Sequence, residues 1–135
     1  MSANGSAKAI KAEQRVKEKS KIEVDQRVIE AFQLMWGNFP EPATLVHKSR
    51  EVIAVNDACA AIGRIKGMNC ATHGAPEAHR GCLADQALSK QQSAFKKIEF
   101  GDKTIISYWL PVEGYPELFI HFGVGVTIDY DSVQR

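Results

Sequence analysis

Apolar residues show no periodic face over residues 1–21, where Lys8, Lys11, Lys17, Lys19 and Lys21 interleave with Glu13 and Glu18. That stretch reads as a polar tail or a frayed helix. The pattern changes from Ile22. Val24, Val28, Ala31 and Met35 recur at helical spacing, and Ile22, Ile29, Phe32 and Trp36 form a second stripe beside them. Together the stripes span an arc of about 180°, wider than the roughly 100° that one packing surface needs. The spacing predicts a helix over 22–36 that touches two surfaces, either both in its own domain or one of them on a second subunit. Gly37, Pro40 and Pro42 end it. Residues 43–47 and 52–55 then read as a hairpin around a polar turn at 48–51. Asn56 or Asp57 can cap a short helix over 58–62, which Gly63 stops.

Residues 63–81 contain four glycines and one proline and are expected to be irregular, with a helix from about 81 to 90 after them. Strands follow at 93–100, 103–112 and 118–128, separated by turns at 101–102 and 113–117. The last strand alternates cleanly. Leu118, Ile120, Phe122, Val124, Val126 and Ile128 share one face, and Phe119, His121, Gly123, Gly125 and Thr127 share the other. The order helix, two strands, short helices, three strands indicates an α+β domain on an antiparallel sheet.

With 135 residues the chain fits one compact domain. A charge balance of 17 basic to 16 acidic residues provides no concentrated positive field for nucleic acid, so that partner class is set aside. The start lacks the apolar core of a secretory signal, and the longest near-apolar run, 118–128, is too short for a membrane-spanning helix. The expected location is the cytoplasm. Three cysteines there argue for thiols or metal ligands rather than a disulfide framework.

Pro42-Ala43-Thr44-Leu45-Val46, then Val52-Ile53-Ala54-Val55-Asn56-Asp57-Ala58, then Gly63 and Gly67, and finally Phe122 through Asp129 occur in an order that resembles a PAS domain, over about residues 32–131. The resemblance implies a five-stranded antiparallel sheet with short helices on one face, a cavity between them, and signalling through the N-terminal amphipathic helix. It divides the chain into a polar tail (1–21), a signalling or dimerisation helix (22–36), a sensor domain (37–131) and a C-terminal tail (132–135). PAS domains sense redox state, gases, light, metabolites or metals, and many serve only as dimerisation modules, so the fold gives the class of task and not the ligand.

Cys70-x2-His73 and His79-x2-Cys82 are separated by five residues, and thiolate and imidazole are ligand types that zinc prefers. A PAS subgroup carries a Cys, a His-Gly pair and a Cys-x2-Cys at this place, which Cys70, His73-Gly74 and Cys82 resemble. His79 stands where that group has its middle Cys, which argues against an iron–sulfur cluster and leaves zinc or a thiol redox switch. Gly67-Met68-Asn69-Cys70 is similar to the flavin-binding light sensors of the family. Ala71 in place of their Arg and Thr127 in place of their Gln argue against flavin.

By the same comparison His121, Gly123, Gly125 and Thr127 look into the cavity, with Tyr108 in the neighbouring strand, and the two glycines leave room for a ligand near the backbone. His121 is then a polar contact or a haem ligand, against the plainer reading of a hydrogen-bonded core histidine.

No phosphate-cradling loop, nucleophile elbow or close carboxylate pair is present. An enzyme would have to use Cys70 or Cys82 with His73 or His79, and none is expected. The expected function is sensory: a small ligand, metal or redox state is detected and reported through dimer and helix packing to a signalling effector, with a homodimer formed through helix 22–36. A constitutive dimerisation module without ligand is the alternative. With no kinase, cyclase or DNA-binding element after Asp131, the chain either acts by protein–protein contact or is part of a longer regulator. If the 70–82 residues are ligands, elemental analysis of protein purified without oxygen will give about one zinc or iron per chain, absent from the Cys70→Ser/Cys82→Ser variant. Metal-free wild-type protein would remove the metal reading.

Overall fold

A computed structural model describes residues 22–63, 66–67 and 82–132. The elements run α1 (Gln26–Trp36), β1 (Ala43–His47), β2 (Val52–Val55), α2 (Asp57–Ala61), α3 (Ala84–Lys90), β3 (Ala94–Phe100), β4 (Lys103–Val112) and β5 (Tyr115–Val124). The five strands form one antiparallel sheet in the order β2-β1-β5-β4-β3. Among the described residues no helix is long and apolar enough to cross a membrane.

Helix α1 starts at Gln26, four residues later than its apolar stripes predict. The reason is Asp25, whose carboxylate caps the helix by accepting from the Arg27 N–H at 2.9 Å. Asp25 also accepts from the Tyr115 hydroxyl at 2.7 Å, which ties the helix start to the first residue of β5. Ile22 and Val24 precede the helix and still pack on the core. At the other end a Cβ on Gly37 would sit 2.4 Å from the Gln33 carbonyl, so the last turn closes tightly only with glycine there.

The two sheet faces pack differently. Residues directly paired across strands share a face, so Ala43 and Leu45 of β1 lie beside Phe122 and Ile120 of β5. This face takes α1 through Phe32, Val28, Ile29 and Trp36. On the other face Val46, Phe119 and Trp109 pack with Ala94 and with Ala84 and Ala87 of α3. The aliphatic side of the last strand thus lies under the N-terminal helix.

An aromatic row crosses the α1 face. Tyr108 stacks on Phe122 with centroids 4.8 Å apart, and Phe122 meets Trp36 at 4.9 Å. Phe95 extends the row to the sheet edge, where it is 69% exposed. The other apolar stripe of α1 is only partly covered. Val28 packs inward, whereas Ala31 is exposed and Met35, beside Leu34, is among the most exposed large apolar residues described.

The short helices run 57–61 and 84–90 against the expected 58–62 and about 81–90, and the strand ends also differ. The predicted turn at 113–117 shrinks to Glu113 and Gly114, so β5 begins at Tyr115. It stops at Val124 instead of residue 128, because Gly125 turns the chain with φ 93° in the left-handed region that favours glycine. The chain thereby leaves the sheet as an irregular exit segment.

Candidate functional site

A row of side chains crosses the α3 face at the level of His121. Thr44, His121, Trp109 and Ala94 are register partners on β1, β5, β4 and β3. The His121 ring stacks on the Trp109 indole at 4.9 Å with 12° between the planes, and the Thr44 hydroxyl donates to the His121 carbonyl at 3.2 Å. Trp109 is 3% exposed. Among the described residues its Nε1–H is the buried side-chain polar group without a hydrogen-bond partner. A buried donor left in that state costs about 1–3 kcal/mol, so an acceptor supplied to it would be held firmly.

The other cavity candidates are distributed elsewhere. Tyr108 pairs with Phe122, which puts it on the α1 face, opposite His121. Adjacent strand residues point to opposite faces, and the partner of His121 in β4 is Trp109. Gly123 does share the face of His121, but a Cβ there would lie 2.6 Å from Val126 Cγ2: a protein side chain fills the space expected for a ligand. At Gly125 the equivalent space is taken by the Thr104 carbonyl at 2.6 Å. Thr127 lies beyond β5 and bonds to Glu41. Of the metal or redox candidates, Cys70, His73 and His79 lie outside the described residues, and Cys82 is exposed ahead of α3. Among the described residues no group of three or more His, Cys, Asp and Glu is placed to hold a metal ion.

Glu41 was not anticipated from the sequence. It is fully buried, and its carboxylate accepts from the backbone N–H groups of Gly125, Thr127 (2.7 Å) and Ile128 (3.2 Å), and from the hydroxyls of Thr127 (3.3 Å) and Tyr130 (3.1 Å). All these donors belong to the exit segment. Burial by itself raises the carboxyl pKa, but the N–H groups of Thr127, Gly125 and Ile128 and the Tyr130 hydroxyl outweigh it and hold the pKa below the ordinary value. Its flanking residues carry the one available sequence signal, a glutamate between Pro40 and Pro42 directly ahead of a buried strand.

The Glu41 backbone is fixed in turn. Its carbonyl accepts from Asn56 Nδ2 at 2.8 Å, and the same amide group donates to the Phe39 carbonyl at 3.2 Å. Asn56 Oδ1 accepts from the Ala43 N–H at 3.0 Å and from the Cys59 N–H at 2.9 Å, which caps α2.

No protein-family model matches the sequence, and no curated protein matches it. Solved structures do. The PAS domain of BvgS from Bordetella pertussis superposes with a TM-score of 0.58 at 14% identity, over 79% of this chain and 91% of that one. The chain adopts the PAS fold. A domain of an HTR-like protein from Haloarcula marismortui matches with a TM-score of 0.55 at 15% identity, covering 65% of this chain and 99% of its own. A sensory box sensor histidine kinase from Vibrio cholerae matches with 0.53 at 15% identity, over 94% and 97%.

Within this PAS fold, Glu41 joins the entrance of β1 to the exit of β5, and its charge state decides how well. Because folding lowers its pKa, its stabilisation is complete above the ordinary glutamate value of about 4.5 and is lost as pH falls through that value and past the lowered one. Glu41→Gln keeps the shape but aims an amide donor at other donors. It is expected to cost about 3 kcal/mol at pH 7 in urea unfolding, and the gap to wild type is expected to close as pH falls below the ordinary glutamate range. A gap independent of pH would show that the charge does not matter.

Proposed function

We propose that this PAS domain is a sensor that takes a small molecule on the α3 face of its sheet, beside Trp109 and His121, and reports through α1 to a second copy of the chain and to a signalling effector. The observation that carries the reading is the buried, unpartnered Trp109 indole N–H against a flat imidazole. A planar ligand with a carbonyl or carboxylate oxygen would give that donor its partner, and the aromatic surroundings would suit its ring or chain. Sensory neighbours of the same fold support the task, since two of the matched structures are a PAS domain of BvgS and a sensor histidine kinase. The reading is that of a binding module and not of a catalyst.

The test is a thermal-shift screen of small organic acids and aromatic carbonyl compounds. A ligand at about 100 times its Kd stabilises the folded state by about 2.7 kcal/mol, which reads as a rise in Tm. Trp109→Phe removes the orphaned donor, so the variant is expected to be as stable as wild type without ligand and to lose the rise. A screen in which nothing stabilises the wild type, or in which Trp109→Phe responds equally, would remove the ligand from this face.

A constitutive dimerisation module is the second reading, favoured by Leu34 at 87% and Met35 at 77% exposure on the same helix edge. Both readings place a second copy of the chain on α1. Sedimentation of the wild type is expected to show a dimer, and Leu34→Glu/Met35→Glu a monomer with unchanged secondary structure. A wild-type monomer at high concentration would overturn the helix-mediated pairing.

A further inference from the structure

The exit segment has an unusual attachment. Among the described residues, every hydrogen bond that joins residues 125–130 to the rest of the fold ends on Glu41, apart from the one that Lys103 Nζ donates to the Val126 carbonyl. Val126 packs into the notch at Gly123 and Gly125 lies against the Thr104 carbonyl, but beside residues 127–130 there is open space. An open groove of about 720 Å3 runs along it, lined on the sheet side by Thr104, Ile106 and Val124 and on the other by Thr127, Ile128 and Tyr130. One buried carboxylate, and not a packed apolar face, holds the chain where it leaves the sheet.

That carboxylate is not anchored independently. Prolines on either side restrict the backbone at Glu41, and its carbonyl hangs on Asn56 Nδ2. The opposite end of the Asn56 amide caps α2, five residues whose core contact is the fully buried Cys59. A continuous polar chain therefore runs from α2, through Asn56, through Glu41, to the exit segment. A movement of α2 by more than a fraction of an ångström must either break a bond to Asn56 or carry Glu41 with it.

We infer that Asn56 and Glu41 form a latch that couples the position of α2 to the attachment of residues 125–130, so that displacement of α2 releases the exit segment. The groove beside the segment is open and leaves it little packing to hold it in place, and the release is therefore local. The latch is a property of the protein without ligand and stands whether or not anything binds at Trp109.

Amide hydrogen exchange on the unliganded protein tests it. Asn56→Asp keeps an acceptor for the α2 cap and for the Ala43 N–H, since Asp caps helices as well as Asn, but replaces the donor that holds the Glu41 and Phe39 carbonyls. The expected result is exchange at least ten times faster at the Gly125, Thr127 and Ile128 amides, with the Cys59 amide and the centre of β4 at wild-type rates. Wild-type exchange at the three exit amides, or an equal acceleration of every amide in the sheet, would overturn the coupling. Tyr130→Phe is the second variant, because Tyr130 is 47% exposed and its loss of one hydroxyl leaves the core untouched. It is expected to speed exchange at the same three amides by about threefold. No change there would show that the Glu41 bonds do not govern the segment.

Discussion

Strand β1 is buried along its whole length, and the polar groups at and around it have to be satisfied inside the protein. It lies between β2 and β5, with α1 over one face and the α3 cluster under the other. Thr44 answers with a bond to the His121 carbonyl, and His47 with bonds to Ser49 and Glu117. At the entrance Asn56 and Glu41 do the same for the chain as it enters the strand. A domain of this size is stable by only about 5–15 kcal/mol, so an unmet group at any of these places would remove a large share of the total. The architecture of the β1 entrance is the set of bonds that prevents this.

The same requirement explains why a carboxylate can sit fully buried at Glu41. A buried charge is tolerated when its surroundings offer enough donors, and the turn that Gly125 makes points three consecutive-segment N–H groups and two hydroxyls at one site. The left-handed glycine and the buried glutamate are thus two halves of one solution. Gly125 ends β5 early, and the N–H groups it frees from the ladder are taken up by Glu41. Trp109 stands in contrast. Its indole is buried in the core, yet its N–H has been left unmet on the face where β5 presents its histidine.

On the α1 face the bond from the Tyr115 hydroxyl to Asp25 fixes the helix start, and aromatic packing seats the rest. Phe122 is the hub: Tyr108 stacks on it, Trp36 and Phe39 meet it edge-on or tilted, and α1 is thereby seated on the centre of the sheet. The helix uses one stripe for this and leaves Leu34 and Met35 outside. The two faces of the sheet therefore carry different contacts, an aromatic row under α1 and, under α3, an apolar cluster that holds the unmet Trp109 N–H, with the Asn56–Glu41 chain at the entrance of β1.

The sequence by itself determined the periodic parts. The alternation of the last strand, the hairpin at 43–55, a helix cap at Asn56 or Asp57 and the stripes of α1 were legible because each depends on neighbours within a few residues, and the order of the motifs at 42–46, 52–58, 63, 67 and 122–129 carried the PAS resemblance that the fold bears out. Tertiary structure decided the rest. Tyr108 and Trp109 are adjacent, so one of them had to share the face of His121, but only the pairing of β4 with β5 fixes which. Gly123 and Gly125 looked like space for a ligand because a missing side chain reads the same whether a ligand or Val126 and Thr104 fill the gap. Glu41 was invisible for the strongest reason: a charged residue in a short polar stretch reads as exposed, and the donors that permit its burial lie 84 to 89 positions further along the chain. Local patterning specifies elements, whereas the satisfaction of a buried polar group is a property of what the fold brings to it.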